Sequence, residues 1–133
     1  MEKSNPHPKS SQLEKLTWRD FSETNHAVML LIDPADGSIV DANQAACAFY
    51  GWSREELKRK KISEINCLPL KDVSSILQNA ASEKQNQFIF QHKRADGSVA
   101  DVEVFSGPIQ FQDRDLLFSI IHDITERKRY EAA

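Results

Sequence analysis

The chain has 133 residues, of which 40% are hydrophobic and 28% charged, and its net charge is -3 at pH 7. This length favours one domain around a single core, and these fractions are ordinary for a globular protein. The negative charge gives no electrostatic case for nucleic acid as a partner, and no apolar run approaches the ~20 residues that cross a bilayer. We therefore expect a cytoplasmic domain without direct membrane contact.

The first 25 residues predict a polar tail and one helix. Residues 1–11 hold little that could be buried and are expected to be disordered. Residues 12–25 are expected to form an N-terminal amphipathic helix, because apolar residues recur there among charged ones. These apolar residues are Leu13, Leu16, Trp18 and Phe21.

The next segments predict a hairpin followed by a helix. Residues 27–33 form a β-rich apolar run, which is expected to be a strand. The sequence Pro34-Ala35-Asp36-Gly37 is a turn by composition, and residues 38–41 then return as a short strand. Residues 42–51 are helical in character, with alanines and aromatic side chains on neighbouring turns.

Two further helices are predicted in the middle of the chain. Ser53 is a candidate N-cap, and Glu56, three residues later, completes a capping box. After Pro69, apolar side chains recur at spacings of three and four, which predicts a longer helix to about Lys84.

The last third of the chain changes to a period of two, which is typical of strands. Phe88 and Phe90 alternate with polar neighbours up to Asp96-Gly97, a favoured pair for a tight hairpin turn. A second strand is expected over residues 99–109, and the apolar run over 116–122 predicts a third. This order of elements predicts an α+β fold, in which an antiparallel sheet carries helices on one face.

The final strand passes through Asp123-Ile124-Thr125 into a charged helix start over residues 126–133. Asp123 and Thr125 can each accept backbone N–H bonds, so that side chains would fix this corner. We expect these two residues to relay a change in the sheet to the helix that leaves it.

Four segments, in this order along the chain, resemble those of the PAS sensor family. They are Ile-Asp-Pro-Ala-Asp-Gly-Ser-Ile-Val-Asp-Ala-Asn over 32–43, Gly-Trp-Ser-Arg-Glu-Glu-Leu over 51–57, Lys-Arg-Ala-Asp-Gly-Ser over 93–98 and the Asp-Ile-Thr exit over 123–125. Together they extend the similarity over residues 21–129. The resemblance implies a PAS sensor domain over residues 26–125, with a five-stranded antiparallel sheet in the order 2-1-5-4-3 and short helices over one face around a small cavity.

The resemblance also implies a function. PAS modules commonly precede an effector such as a histidine kinase or a diguanylate cyclase, so residues 126–133 would begin the signalling helix to a covalently linked effector downstream. We expect a bacterial-type sensory module that binds a small ligand or a partner. A ligand-free homodimerisation or spacer module is one alternative, and a cofactor-bearing redox or light sensor is another.

The candidate ligand-binding residues are those that we expect between the helices and the sheet. They are Asn43, Cys47, Tyr50, Phe88, Phe90, His92, Val102, Val104 and Ile120. Side chains of this kind fill any close-packed core. The functional alternative is a mostly apolar pocket in which a few polar groups, such as those of Asn43 and His92, orient a small organic ligand. For His92 and His122, which have the parity of Phe90 and Ile120, a structural role is favoured over a ligand role.

No cofactor is identified by the sequence, and haem and flavin are both disfavoured. Haem-binding PAS sensors take their axial histidine from the long helix, and residues 70–84 contain none. Asn66-Cys67-Leu68 is similar to the start of a flavin-binding motif, but the rest of that motif is absent. Cys47 and Cys67 are too few and too far apart in sequence for a disulfide framework or a zinc site.

Catalysis is also disfavoured. Asp101 and Glu103 share one face of a predicted strand and could pair two carboxylates, but acids on an exposed antiparallel face are usually solvated. No Ser-His-Asp order, metal-ligand spacing or phosphate loop accompanies them. We therefore expect a domain that is not an enzyme and holds no metal.

The opposite face of the sheet predicts a partner. Phe105, Leu117 and Ile121 have the parity opposite to that assigned to the cavity, which would leave an apolar face in need of cover. The N-terminal helix could provide this cover, either within the chain or from a second subunit. We therefore expect a symmetric homodimer that forms through this helix and the exposed sheet face.

Overall fold

The computed structural model describes Trp18, Ser22, Glu23 and residues 26–132, the last without its side chain. The elements of residues 26–132 are β1 (Val28–Ile32), β2 (Ile39–Ala42), α1 (Gln44–Tyr50), α2 (Arg54–Lys58), a 3₁₀ turn (Ile62–Glu64), α3 (Leu70–Ala81), β3 (Gln87–Lys93), β4 (Val99–Phe111), β5 (Arg114–Asp123) and α4 (Thr125–Ala132). The predicted tail over residues 1–11 lies outside the described residues. Of the helix predicted over 12–25, only Trp18, Ser22 and Glu23 are described, and all three are helical.

The strands form a five-stranded sheet in the order β2-β1-β5-β4-β3, and every neighbouring pair is antiparallel. This arrangement confirms the predicted fold class and strand order. β5 lies in the middle of the sheet, between β1 and β4. Because α4 follows β5 directly, the helix that leaves the domain starts from the central strand.

Local side-chain chemistry accounts for the ends of the helices. Ser53 Oγ accepts the N–H of Glu56 at 3.1 Å and Glu56 Oε1 accepts the N–H of Ser53 at 2.8 Å, which confirms the predicted capping box at α2. Gly51 ends α1 with a φ of 89°, and a Cβ at this position would lie 3.1 Å from the Cβ of Ala95. A side chain at position 51 would therefore be strained by its backbone conformation and crowded by its neighbour.

Two tight turns fix the register of the long strands. Gln112 and Asp113 both have positive φ, at 52° and 62°, in the two-residue loop between β4 and β5. Two-residue loops with positive φ match the twist of the strands that they join. Between β3 and β4, the N–H of Arg94 donates to the carbonyl of Ser98 at 2.9 Å, and Gly97 has a φ of 88°.

The core lies on both faces of the sheet. The larger cluster fills the space between the sheet and the helices, and includes Leu30, Tyr50 and Leu77. A second cluster lies on the outer face of the sheet, where Trp18 packs with buried side chains of β1, β4 and β5. These side chains are Met29, Leu31, Phe111 and Leu116. Both faces are therefore covered, and the strands in the middle of the sheet bury side chains of both parities.

The parity that the sequence predicted for β5 is wrong. Leu117 and Ile121 belong to the inner cluster, whereas Ile120 lies half-buried on the outer face beside the Trp18 cluster. Phe105, which pairs with Ile120, lies on the outer face as predicted and is 36% exposed. The run Leu116–Ile121 is apolar at nearly every position because both faces are covered, so alternation alone could not assign its faces.

Candidate functional site: a cavity between the sheet and helix α3

A small cavity of about 40 Å³ lies between the inner face of the sheet and α3. Its walls come from four strands, from α3, and from the segment that contains the 3₁₀ turn. They are Leu30, Ile32, Ile62, Asn66, Val73, Ile76, Leu77, Ala80, Phe88, Phe90, His92, Val104, Ser106, Leu117, Ser119 and Ile121. Most of these side chains are apolar, and they include no Asp, Glu, Lys or Arg. The cavity therefore suits an uncharged, largely apolar occupant.

Four of the predicted ligand-binding residues line this cavity. Phe88, Phe90 and His92 follow one another on the inner face of β3, and their rings stack with centroid distances of 5.4 Å and 6.0 Å. Val104 lies opposite Phe88 on β4. Val102 is fully buried in the same core but does not contact the cavity. The ligand-binding role of all these residues remains a prediction.

Asn43 has a structural position at the start of α1. Its Oδ1 accepts the N–H of Ala46 at 3.0 Å and that of Met29 at 3.1 Å, and its amide donates to the carbonyl of Ala27 at 2.7 Å and to that of Ser22 at 2.9 Å. It thereby connects α1, β1 and the N-terminal helical residues, but it is not part of the cavity wall.

Cys47 is half-buried against the inner core and is likewise absent from the cavity wall. Burial raises the pKa of its thiol. A raised pKa keeps the thiol protonated at neutral pH and lowers its reactivity. Cys67 is exposed in the loop before α3. The placement of Ile120 on the outer face excludes it from the cavity wall.

Tyr50 and His92 form a buried pair, of which only His92 lines the cavity. The Tyr50 hydroxyl lies 2.8 Å from His92 Nδ1, and both side chains are almost completely buried. A buried hydroxyl needs an acceptor for its proton, so we assign Tyr50 as the donor and Nδ1 as the acceptor. The neutral imidazole then carries its proton on Nε2.

His92 Nε2 has no hydrogen-bond partner, and no other buried side-chain nitrogen or oxygen in the described part of the chain shares this property. Burial lowers the pKa of His92 to about 4, which keeps the ring neutral near pH 7. Leaving a buried donor unpaired costs about 1–3 kcal/mol. A ligand or water that accepted this proton would recover that free energy.

The polar groups of β4 and β5 in the cavity wall are already paired. Ser106 and Ser119 lie opposite each other on β4 and β5, and their hydroxyl oxygens are 2.7 Å apart. The carbonyl of Asn86 accepts the N–H of Ser106, so Ser106 lies six positions along β3 from His92, or roughly 20 Å. His92 and the serine pair therefore contact opposite ends of the cavity.

The strand-to-helix corner contains both predicted relay residues. Thr125 Oγ1 donates to Asp123 Oδ1 at 2.6 Å and accepts the N–H of Asp101 at 3.0 Å. The N–H of Thr125 also donates to Asp123 Oδ1, and the N–H of Ile124 donates to the carbonyl of Asp101 at 2.8 Å. The first turn of α4 is therefore attached to β4 at Asp101.

The acidic pair considered for catalysis lies on the outer face of β4. Asp101 accepts from Gln91 Nε2 at 3.3 Å, and Glu103 accepts from Gln87 Nε2 at 2.6 Å. Arg127 Nη1, on α4, lies 3.9 Å from Glu103 Oε1. His122, which the sequence placed by the same parity as Ile120, is exposed on this face with its ring edge against Phe105. Neither acid faces the cavity.

Sequence reasoning missed most of the cavity wall. Val73 and Leu77 belong to the stripe that predicted α3, but the stripe did not show that a void lies beneath them. Ser119 interrupts an apolar strand, and this interruption was the available sign that a polar group faces the core. Among the described residues, none of the helices combines the length and apolar character that crossing a membrane requires.

The comparisons with known proteins agree with this architecture. A family model described as a PAS domain matches residues 25–126. The diguanylate cyclase DgcM of Escherichia coli is 45% identical over 115 residues, which cover 84% of this chain and 28% of that protein. A methyl sulfide methyltransferase-associated sensor of Methanosarcina acetivorans is 33% identical over 108 residues, which cover 78% of this chain and 11% of that protein.

A solved structure extends the agreement to three dimensions. The PAS domain of an HTR-like protein from Haloarcula marismortui superposes with a TM-score of 0.70 at 28% identity, and the match covers 86% of this chain and 91% of that one. The chain thus spans about a quarter or less of its two curated relatives and nearly all of an isolated domain. This protein chain belongs to the PAS domain family.

Proposed function

We propose that this chain is the sensory module of a larger, cytoplasmic signalling protein. It binds a small ligand in the cavity under α3, and the strand-to-helix corner passes the bound state to an effector linked after α4. The observation that carries the proposal is the apolar cavity with one unpaired buried nitrogen, on His92. A binding site needs both the space and the unused hydrogen-bonding capacity.

The size of the cavity limits the ligand. Pockets for drug-sized molecules measure about 300–1,000 Å³, whereas this cavity measures about 40 Å³. A ligand of a few non-hydrogen atoms enters with little movement of α3. A haem or flavin would require the walls to separate.

Backbone contacts through β4 connect His92 to α4 and support the relay. His92 pairs with Ala100 across β3 and β4, and the next residue, Asp101, holds Thr125 and Ile124 through its backbone. A ligand that moves His92 would therefore act on the strand that carries the helix. A difference in affinity of about 1–3 kcal/mol between two states is enough for coupling of this kind.

The relatives support a diguanylate cyclase as the effector. DgcM carries that activity in its name, and its match to this chain covers only part of its length. A histidine kinase is the second possibility, because a PAS domain from a two-component sensor histidine kinase has the same fold at 17% identity.

A chimera tests the proposal. This chain would replace the matching 115 residues of DgcM, and cyclase output would be measured for variants at two adjacent positions of α3. Ala80 lines the cavity and Ala81 does not. We expect Ala80→Ile to fill the cavity and change the output, and Ala81→Ile to leave it within about twofold of the unsubstituted chimera. Equal outputs from the two variants, with the fold retained, would contradict ligand sensing.

A ligand-free homodimerisation module is the second candidate. The small volume of the cavity favours it, as do the half-buried Phe118 and Ile120 and the partly exposed Phe105 on the outer face. Sedimentation of the chain and its Ile120→Glu variant would test it. A dimer that this substitution dissociates, combined with equal outputs from the Ala80 and Ala81 variants, would favour the dimerisation module.

A further inference from the structure

The hydrogen-bonding state of His92 restricts the chemistry of the ligand. Tyr50 occupies Nδ1 from outside the cavity, since Tyr50 is not part of the cavity wall. The opposite edge of the ring carries Nε2, and His92 itself lines the cavity. With Tyr50 donating to Nδ1, Nε2 presents an N–H donor, so the ligand must supply an acceptor.

The absence of charged side chains from the cavity wall restricts the ligand further. No wall residue is an Asp, Glu, Lys or Arg, so a buried carboxylate or phosphate would have no cation beside it. Burial also lowers the pKa of His92, which opposes formation of an imidazolium that could serve as that cation. An unpaired buried charge is far more costly than a neutral acceptor that receives one hydrogen bond.

The other three polar residues of the wall each already make one side-chain hydrogen bond. Ser106 and Ser119 bond to each other, and Asn66 Oδ1 accepts the N–H of Leu68 at 3.0 Å. Asn66 lies opposite His92 in a backbone bridge, whereas the wall between His92 and the serine pair consists of aliphatic side chains and two phenylalanine rings. One polar atom at one end of the molecule therefore matches this wall better than several polar atoms along it.

We propose that the cavity binds a small uncharged molecule, apolar except for one carbonyl-type oxygen that accepts the Nε2–H of His92. This inference rests on the proposed function, in which the cavity is the ligand site. Tyr50 acts as a positioning residue, because its hydroxyl holds the imidazole in the tautomer that donates into the cavity.

Three probes of one shape separate the possibilities. Butan-2-one has a neutral acceptor oxygen, 2-methylbut-1-ene replaces that oxygen by CH₂, and propanoate is a carboxylate of similar size. Each would be titrated into the isotope-labelled full chain, and NMR would follow the Nε2–H of His92 and the methyl groups of Leu77 and Val104. We expect butan-2-one to shift both sets of signals and to bind about tenfold more tightly than the alkene.

Variants of His92 and Tyr50 test whether these two side chains cause the preference for the ketone over the alkene. In His92→Phe the preference for the ketone should fall to within about twofold, whereas His92→Gln keeps an N–H donor and should retain part of it. In Tyr50→Phe the ring nitrogen shifts should show a mixture of tautomers together with weaker ketone binding. Retention of a single tautomer in Tyr50→Phe would contradict the positioning role.

The outcomes distinguish this inference from the proposed function. If the alkene binds as well as the ketone, the cavity is a binding site but the acceptor requirement is wrong. If propanoate binds most tightly, the exclusion of charge is wrong. If no probe shifts the methyl groups, the inference is wrong, and the outputs of the Ala80 and Ala81 chimeras decide the ligand-sensing function independently.

Discussion

The two faces of the sheet are both covered, but they differ in how completely their side chains are packed and hydrogen-bonded. On the outer face, Trp18 closes a cluster over β1, β4 and β5, and its only polar atom, Nε1, donates to Asp41 Oδ2 at 3.1 Å. On the inner face, α3 leaves a cavity, and the Nε2 of His92 has no partner. The outer face is therefore built for stability, whereas the inner face keeps space and hydrogen-bonding capacity that a ligand can use.

The largest expected losses of stability test the difference between the two faces at two adjacent leucines. Leu30 and Leu31 are both fully buried in β1, but Leu30 lines the cavity and Leu31 packs in the outer cluster. We expect Leu31→Ala to lower the free energy of unfolding by about 4 kcal/mol. Leu30→Ala should cost about 1 kcal/mol less, because the part of Leu30 that faces the void has fewer contacts to lose.

Chemical denaturation of the two variants measures this difference. The slope of unfolding free energy against denaturant should stay constant, so that the midpoints report stability directly. Equal losses of unfolding free energy in the two variants would show that the cavity does not weaken side-chain packing on the inner face.

The buried imidazole predicts a pH dependence. His92 has a pKa of about 4 in the folded chain against 6.5 for an ordinary histidine, so the unfolded chain binds more protons between these pH values. The contribution of His92 to stability is fully present above pH 6.5 and is lost as the pH falls to about 4, by roughly 3 kcal/mol in all.

The control for this prediction is His92→Phe, because the carboxylates of the chain also titrate in acid. Unfolding free energies of both proteins would be measured across this range. The wild-type chain should lose stability more steeply than the variant as the pH falls, and parallel curves would contradict a neutral buried His92.

Substitutions in the pair formed by Ser106 and Ser119 should have a smaller effect on stability, and their effects should not be additive. Ser119→Ala leaves the buried Ser106 hydroxyl without its partner and should cost about 1–2 kcal/mol. Replacing both serines by alanine should cost less than the sum of the single changes, because no unpaired hydroxyl remains. A double-mutant cycle on thermal unfolding measures the coupling, and strict additivity would show that the two hydroxyls act independently.

The smallest stability effect is expected at the exit corner. Thr125→Ala removes the acceptor of the Asp101 N–H and the donor to Asp123, and should cost about 1 kcal/mol. Thr125→Ser keeps the hydroxyl and is the matched control. Hydrogen exchange at the Lys128 N–H, which donates to the carbonyl of Ile124, should accelerate in the alanine variant only.

Patterns of local origin could be predicted from the sequence. The capping box at Ser53 and the tight turn at Gly97 depend on nearby residues, and the structure contains both. The end of α3 was predicted at about Lys84, but the helix ends at Ala81, because Glu83 adopts a positive φ that no sequence pattern announced. The strand order came from the family resemblance.

Contacts between distant residues could not be predicted in this way. The inward parity of His92 was predicted, but its pairing with Tyr50, across 42 positions, depends on how α1 packs on β3. The faces of β5 were assigned wrongly because both are buried, which removes the alternation that distinguishes them. The cavity itself results from imperfect packing by several elements, and no single segment encodes it.

The most direct test follows the Lys128 amide while butan-2-one is titrated into the labelled chain. If the cavity controls the exit helix, this amide signal shifts in parallel with the methyl groups of Leu77 and Val104 in the wild-type chain and in Thr125→Ser. The shift should be lost in Thr125→Ala, although the methyl groups still respond. Methyl shifts in the wild-type chain with no change at Lys128 would contradict the relay.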